Sequence, residues 1–276
     1  MDNLVYHYTS LEALDGIIGK DKVTFWATKY QYMNDPFEKI WAQNYILSII
    51  ERESNGDNES SDTINKLVDR YPYIISFCDI PDYRNMWRLY CNDGLGVCIG
   101  LNSDILQQVA SENLLSETKT KQDFFESVIY CSRNNIKQTI DYLDQRGIFN
   151  LNQNDKLDNL YIMSAFVKCD DFYIENEFRY ARLRENSQVL VSPNISTGGT
   201  ISKALEDITD VKYRMRGANE LIPYLEIDFP SNVIEKIIVG YGYPDFNKPR
   251  QCIKQILSKN PLLADVQIEE SILNKG

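Results

Sequence analysis

The sequence predicts an α+β fold in a single domain spanning residues 1–276. Three observations carry this expectation. Short strand-like runs recur without the regular strand–helix–strand alternation of a doubly wound sheet, and neither a G-x-G-x-x-G turn nor a phosphate loop is present. No internal repeat or linker divides the chain. A hydrophobic fraction of 43% over 276 residues suffices for one large core, and eighteen tyrosines and eleven phenylalanines suit β-structure and clefts that receive flat rings.

Residues 4–9 alternate apolar and polar positions as a short strand, and Ser10 then caps a helix over 11–18, with Glu12 in its first turn and Gly19 closing it. A second strand is expected over 23–28. Asn34-Asp35-Pro36 has the chemistry of a cap followed by a first-turn proline, so a helix is predicted over 37–53. The Ser, Asn, Asp and Glu of 51–63 read as a surface loop, and a short helix over 64–70 leads into a strongly strand-like run, 73–78. A turn at 79–82 precedes a helix over 84–91, which Gly94 and Gly96 end. Residues 97–101 read as a buried strand and 104–110 as a helix.

The middle third, 111–158, is polar and is expected to be helical, with a strand-like interruption at 127–131 and a helix over 136–145. A helix over 157–167 then delivers the chain to a strand, 170–183. Residues 188–191 are a candidate hairpin partner, and 193–200 a loop over a cleft. Strands over 221–228, 233–239 and 266–273, with a helix over 249–258, complete the prediction.

The formal net charge is −11, so no general attraction draws the protein to nucleic acid or anionic lipid. No run of about 18 apolar residues exists, and Asp2 and Asn3 follow the first Met, from which we expect a soluble, cytoplasmic protein without a membrane partner. The six cysteines form no C-x-x-C pair, the pattern of buried free thiols. His7 is the only histidine, which excludes any mechanism that needs two. It sits at the end of a strand before a helix N-terminus, where a structural hydrogen bond is the plain alternative to a ligand contact.

The stretch 170–183 carries the densest chemistry. Strand alternation places Glu175, Glu177 and Arg179 on one face and Ile174, Phe178 and Tyr180 on the other. Two carboxylates raise one another's pKa and an arginine lowers it again, which is tuning suited to a carboxylate that meets a developing positive charge. A solvated edge strand with a cross-strand ion pair has the same pattern. Trp87 and Tyr90, three apart on a helix, are expected to share a face, either packing the core or reaching a ligand.

Taken together, His7-Tyr8-Thr9-Ser10, Asn34-Asp35-Pro36 with Glu38, Ser76-Phe77, Met86-Trp87 with Tyr90, Gly96-Val97-Cys98-Ile99-Gly100 and Glu175-x-Glu177-x-Arg179 resemble a broad bacterial family of uncharacterised proteins grouped with the ADP-ribosyltransferase fold. The resemblance implies a split antiparallel β-sandwich around a cleft that binds NAD as co-substrate, with helical insertions. It also implies catalytic roles for Glu177 and Glu175, with His7, Tyr8, Thr9, Ser76, Phe77, Trp87, Tyr90 and Arg179 as the candidate NAD-binding residues. His7, Ser76 and Glu177 are expected to converge on the cleft. Phe77, Tyr8, Trp87 or Tyr90 would form the nicotinamide platform, and Arg179 would either orient Glu177 or bind a phosphate.

The implied activity is transfer of ADP-ribose to a macromolecular acceptor, as in a toxin or phage-defence effector with an antitoxin or sensor partner. Glu177 would stabilise the oxocarbenium-like state and Glu175 would activate the acceptor, with no metal needed. An NAD glycohydrolase and a non-catalytic binding module of the same fold are the alternatives.

Overall fold

The computed structural model describes residues 3–33, 72–114, 121–131, 165–184 and 210–275. Asn34, Asp35, Pro36 and Glu38, the helices expected over 37–53, 64–70 and 136–145, the loops expected over 51–63 and 193–200, and the hairpin partner expected at 188–191 lie outside them.

The strands are β1 (Leu4–Thr9), β2 (Lys22–Lys29), β3 (Tyr73–Cys78), β4 (Val97–Asn102), β5 (Lys121–Ser127), β6 (Ile129–Cys131), β7 (Val167–Cys169), β8 (Glu177–Arg184), β9 (Lys212–Arg216), β10 (Glu220–Pro230), β11 (Ile234–Val239) and β12 (Gln267–Glu270). The helices are α1 (Leu11–Ile17), α2 (Arg84–Tyr90), α3 (Ser103–Leu114) and α4 (Asn247–Leu257). The fold is α+β, as expected, with one large, mostly antiparallel sheet. Ten strands form that sheet in the order β12-β11-β4-β1-β3-β2-β10-β9, with β8 added to β3 and β5 to β8, while β6 and β7 form a small parallel pair.

The sheet forks at β3. One edge of β3 pairs with β8 along its whole length, from Tyr73↔Arg182 to Cys78↔Glu177. The other edge is shared: β1 meets it only at Tyr6↔Cys78, and β2 only at Thr28↔Ile74 and Lys29↔Tyr73. The two strands therefore diverge across the middle of β3, where the His7 ring bonds the Ser76 carbonyl at 3.0 Å.

One face of the sheet builds the main core. Val5, Phe25, Ile75, Phe77, Ile99, Tyr180, Phe229 and Ile237 meet there beneath Leu14 and Ile17 of α1, Leu106 of α3 and Ile253 of α4. Aromatic edges fill it, with Tyr180 and Phe229 ring centroids 5.0 Å apart. On the opposite face Tyr6, Tyr8, Cys78 and Cys98 pack under Met86 and Trp87 of α2. The chain leaving α2 runs close against the end of β11, where Gly240 N–H donates to Gly96 O and Gly242 N–H to Gly94 O. A Cβ on Gly240 would stand 2.2 Å from Gly94 O, so only glycine fits.

Several elements depart from the sequence reading. Residues 121–127 form β5 where a polar helical region was expected, because Asp123 is not a solvated position: it is buried and bonded by Arg182, Tyr180 and Asn113. The strand expected at 127–131 divides between the end of β5 and β6. Val167 already belongs to β7 instead of ending a helix. β9 was not anticipated, since Lys212-Tyr213-Arg214-Met215-Arg216 lacks an apolar run.

Candidate functional site

The Glu-rich stretch is two elements, not one strand. Asp170–Glu175 forms a 3-10 turn, Asn176 adopts left-handed backbone at φ 39°, and β8 begins only at Glu177. Asparagine tolerates that conformation better than other side-chain-bearing residues, and its carbonyl accepts from Asp79 N–H at 3.2 Å. Glu175 and Ile174 are thus removed from the strand alternation, and Ile174 is exposed. From Glu177 onward the expected alternation holds: Glu177 and Arg179 share one face, and Tyr180 enters the core on the other.

The two glutamates meet all the same, through a residue the sequence reading did not single out. Lys168 on β7, itself buried, lies 2.8 Å from Glu175 Oε2 and 3.3 Å from Glu177 Oε2, with its ammonium 4.9 Å over the Phe172 ring. Arg179 grips Glu177 bidentately, Nε to Oε1 at 2.7 Å and Nη2 to Oε2 at 2.8 Å, while Nη1 donates to Ala165 O at 2.6 Å. The Glu177 main-chain N–H donates to Tyr130 Oη at 2.8 Å. Burial by itself would raise the Glu177 pKa, but the adjacent Arg179 and Lys168 charges override it and hold the carboxylate well below its ordinary range. Of the two roles open to Arg179, its geometry is that of orienting Glu177: the side chain has no exposed surface and lies 5.9 Å over the Tyr30 ring.

Ser76 sits opposite Arg179 in the β3–β8 pairing and so shares this face. Its hydroxyl is buried without a well-formed hydrogen bond, although it is close enough to Glu177 to favour the charged carboxylate. The His7 ring does not join them. Its contacts are with Phe25 at 5.3 Å and Phe77 at 5.9 Å, both on the core face, so it reaches the Ser76 main chain from the side opposite Glu177. Because a carbonyl only accepts, the bond to Ser76 O places the imidazole proton on Nδ1. Burial lowers the His7 pKa against the opposing effect of that bond. Thr9, two residues on, lies opposite Val97 and its carbonyl accepts from the Cys91 thiol.

A cleft of about 470 Å³ opens beside the carboxylate cluster. Tyr83, Asn85, Met86 and Leu89 form one wall, and Phe172, Ile174 and Glu175 the other. Glu175 lines it, whereas Glu177 stands behind, reached through Lys168. Its flat rings are Tyr83 and Phe172, not the four aromatics expected. Phe77 is buried in the core, and Trp87 is fully buried, packed edge-on against Tyr8 at 5.0 Å with Nε1 donating to Asp82 Oδ1 at 2.7 Å. The Tyr8 hydroxyl is spent on the 79–83 turn, donating to Ile80 O and accepting from Tyr83 N–H. Tyr90 is exposed, so it does not share Trp87's burial.

Five of the six cysteines are buried free thiols, as expected, and Cys252 is exposed. Among the described residues no helix is long and apolar enough to cross a membrane.

Residues 86–180 match a family described as a protein of unknown function, DUF2971. That stretch contains most of α2, Lys168, Glu175, Glu177 and Arg179, while His7 and Ser76 lie outside it. No curated protein and no solved structure matches the chain.

Proposed function

We propose that the protein is an NAD-dependent ADP-ribosyltransferase that modifies a macromolecular acceptor, with the cleft beside α2 as its ligand site. The observation that carries this reading is the carboxylate pair at the cleft: Glu175 lines it, and Lys168 joins Glu175 to an ionised Glu177. The fork between β1 and β2 along β3 supports an ADP-ribosyltransferase-like split sheet. A volume of about 470 Å³ falls within the ~300–1,000 Å³ of small-molecule sites.

When the bond between nicotinamide and ribose C1′ breaks, its electron pair leaves on the nicotinamide nitrogen and positive charge develops on the ribose. An anion fixed beside that ring lowers the barrier. Glu175 fills this position, and Glu177 holds Lys168 and Arg179 in place, which reverses the roles expected from the motif. Tyr83 and Phe172 supply flat surfaces for the nicotinamide. The acceptor nucleophile then bonds C1′ and gives its proton to a carboxylate.

A non-catalytic binding module of the same fold is the second reading. Two observations favour it: both Glu177 oxygens accept bonds from cations, and the His7 side chain stands on the face opposite Glu177. Incubation with labelled NAD distinguishes the readings. Nicotinamide should be released and label should pass to a lysate component, and Glu175→Gln should reduce both by roughly 100- to 1000-fold while calorimetry still registers NAD binding. Release without transfer identifies a glycohydrolase, binding without release identifies the module, and absence of binding ends the NAD reading.

A further inference from the structure

β9 ends the sheet. Among the described residues no strand pairs with its outer side, so along 212–215 the edge can receive another strand. Its two faces differ in chemistry. Tyr213 and Met215 lie opposite Pro223 and Leu221 of β10, on the same side as the core-forming Leu225, Ile227 and Phe229. Yet Tyr213 is 60%, Met215 59% and Leu221 53% exposed, so the core face of the sheet runs on past the core as a bare apolar strip.

On the other face Lys212 pairs with Glu226 and Arg216 with Glu220, and Arg214 between them is left over. Its guanidinium lies 5.6 Å over the half-exposed Trp26 ring and donates to Thr28 Oγ1 at 3.0 Å, but it bonds no carboxylate among the described residues. Burial, reinforced by the nearby Arg216 charge, lowers its pKa. In a chain of net charge −11 a half-buried arginine with no acidic partner among the described residues is a locally unbalanced group.

We infer that β9 is a docking edge for an extended acidic segment of a partner protein. The segment adds to the sheet as a further strand, laying alternate apolar side chains on Tyr213, Met215 and Leu221 and the intervening carboxylates on Arg214. The strand's period of two matches these demands, since apolar and basic positions alternate along β9. A second copy of this chain fits poorly: antiparallel pairing of two β9 strands about Arg214 sets Lys212, Arg214 and Arg216 against the same three cations.

The test is selection from a display library of random dodecapeptides on the full chain, followed by fluorescence anisotropy with the enriched peptides. Sequences alternating Asp or Glu with apolar residues should be enriched. Their Kd should rise at least roughly tenfold in Arg214→Glu and in Met215→Lys, and to a lesser degree in Arg214→Gln, with each variant melting as a folded protein. Enrichment without acidic residues, no enrichment at all, or a Kd unmoved by Arg214→Glu overturns the proposal. So does a wild-type dimer in light scattering that Met215→Lys dissolves, since a second copy would then occupy the edge.

Discussion

Two of the described residues tie the stability of this molecule directly to acid. His7 is the only histidine, and burial between Phe25 and Phe77 lowers its pKa below the unfolded value of about 6.5. The unfolded chain therefore binds a proton that the folded state refuses, so stability falls as pH drops through the unfolded pKa. Urea unfolding should show a lower midpoint at pH 5.5 than at pH 7.5, and His7→Gln should flatten that difference; an unchanged pH dependence would show that another group is responsible. Glu177 acts at lower pH by the same linkage. Its pKa is depressed by Arg179 and Lys168, so its contribution is complete above about pH 4.5 and is lost as pH falls toward about 2. Glu177→Gln takes the bidentate carboxylate from buried Arg179 and leaves Lys168 with Glu175 alone of the two glutamates, and should cost about 3–5 kcal/mol at pH 7, the deficit narrowing as acid protonates the wild-type carboxylate. A deficit below about 1 kcal/mol would mean that solvent reaches the cluster.

At the scale of the element, the junction at Asn176 determines what the Glu-rich stretch becomes. A strand continued through residue 176 would aim Glu175 and Glu177 the same way, whereas the left-handed turn lets Glu175 line the cleft while Glu177 stays behind it. Asn176→Gly should therefore be tolerated within a few tenths of a kcal/mol, and Asn176→Val should lose about 1–2 kcal/mol or more in chemical denaturation. Equal losses in the two variants would place the importance of Asn176 in its side chain instead of its backbone. The same junction explains what could be read from residues alone. Strands β1, β3, β4, β10 and β11 and the capped helix α1 were legible because apolar alternation and the Ser10 cap are local signals. The split at Asn176 was masked by two flanking segments that both resemble strand. Lys168 was invisible because its partners lie seven and nine residues away across a turn, and β5 because Asp123 finds its partners in Arg182 and Tyr180, nearly 60 positions on.

For the whole molecule, surface charge and buried charge should separate under salt. The chain carries 40 acidic against 29 basic residues, a balance of −11, and exposed pairs such as Lys22–Asp228, Lys212–Glu226 and Arg216–Glu220, each neutral in itself, leave that excess unchanged. At about 10 mM salt the screening length is about 30 Å, comparable to a domain, so the excess carboxylates repel one another across the surface; at about 150 mM it is about 8 Å. Exposed ion pairs contribute at most about 1 kcal/mol each, so the relief of general repulsion should outweigh their weakening. The thermal midpoint of the wild type should therefore rise between these two salt concentrations. The Lys168–Glu177–Arg179 cluster lies out of reach of counterions, so the deficit of Glu177→Gln should be the same at both. Differential scanning calorimetry of the two proteins at the two salt concentrations measures both effects in one experiment. A midpoint that falls with salt would show that the surface pairs dominate the acidic excess, and a Glu177→Gln deficit that closes with salt would place the cluster in contact with solvent.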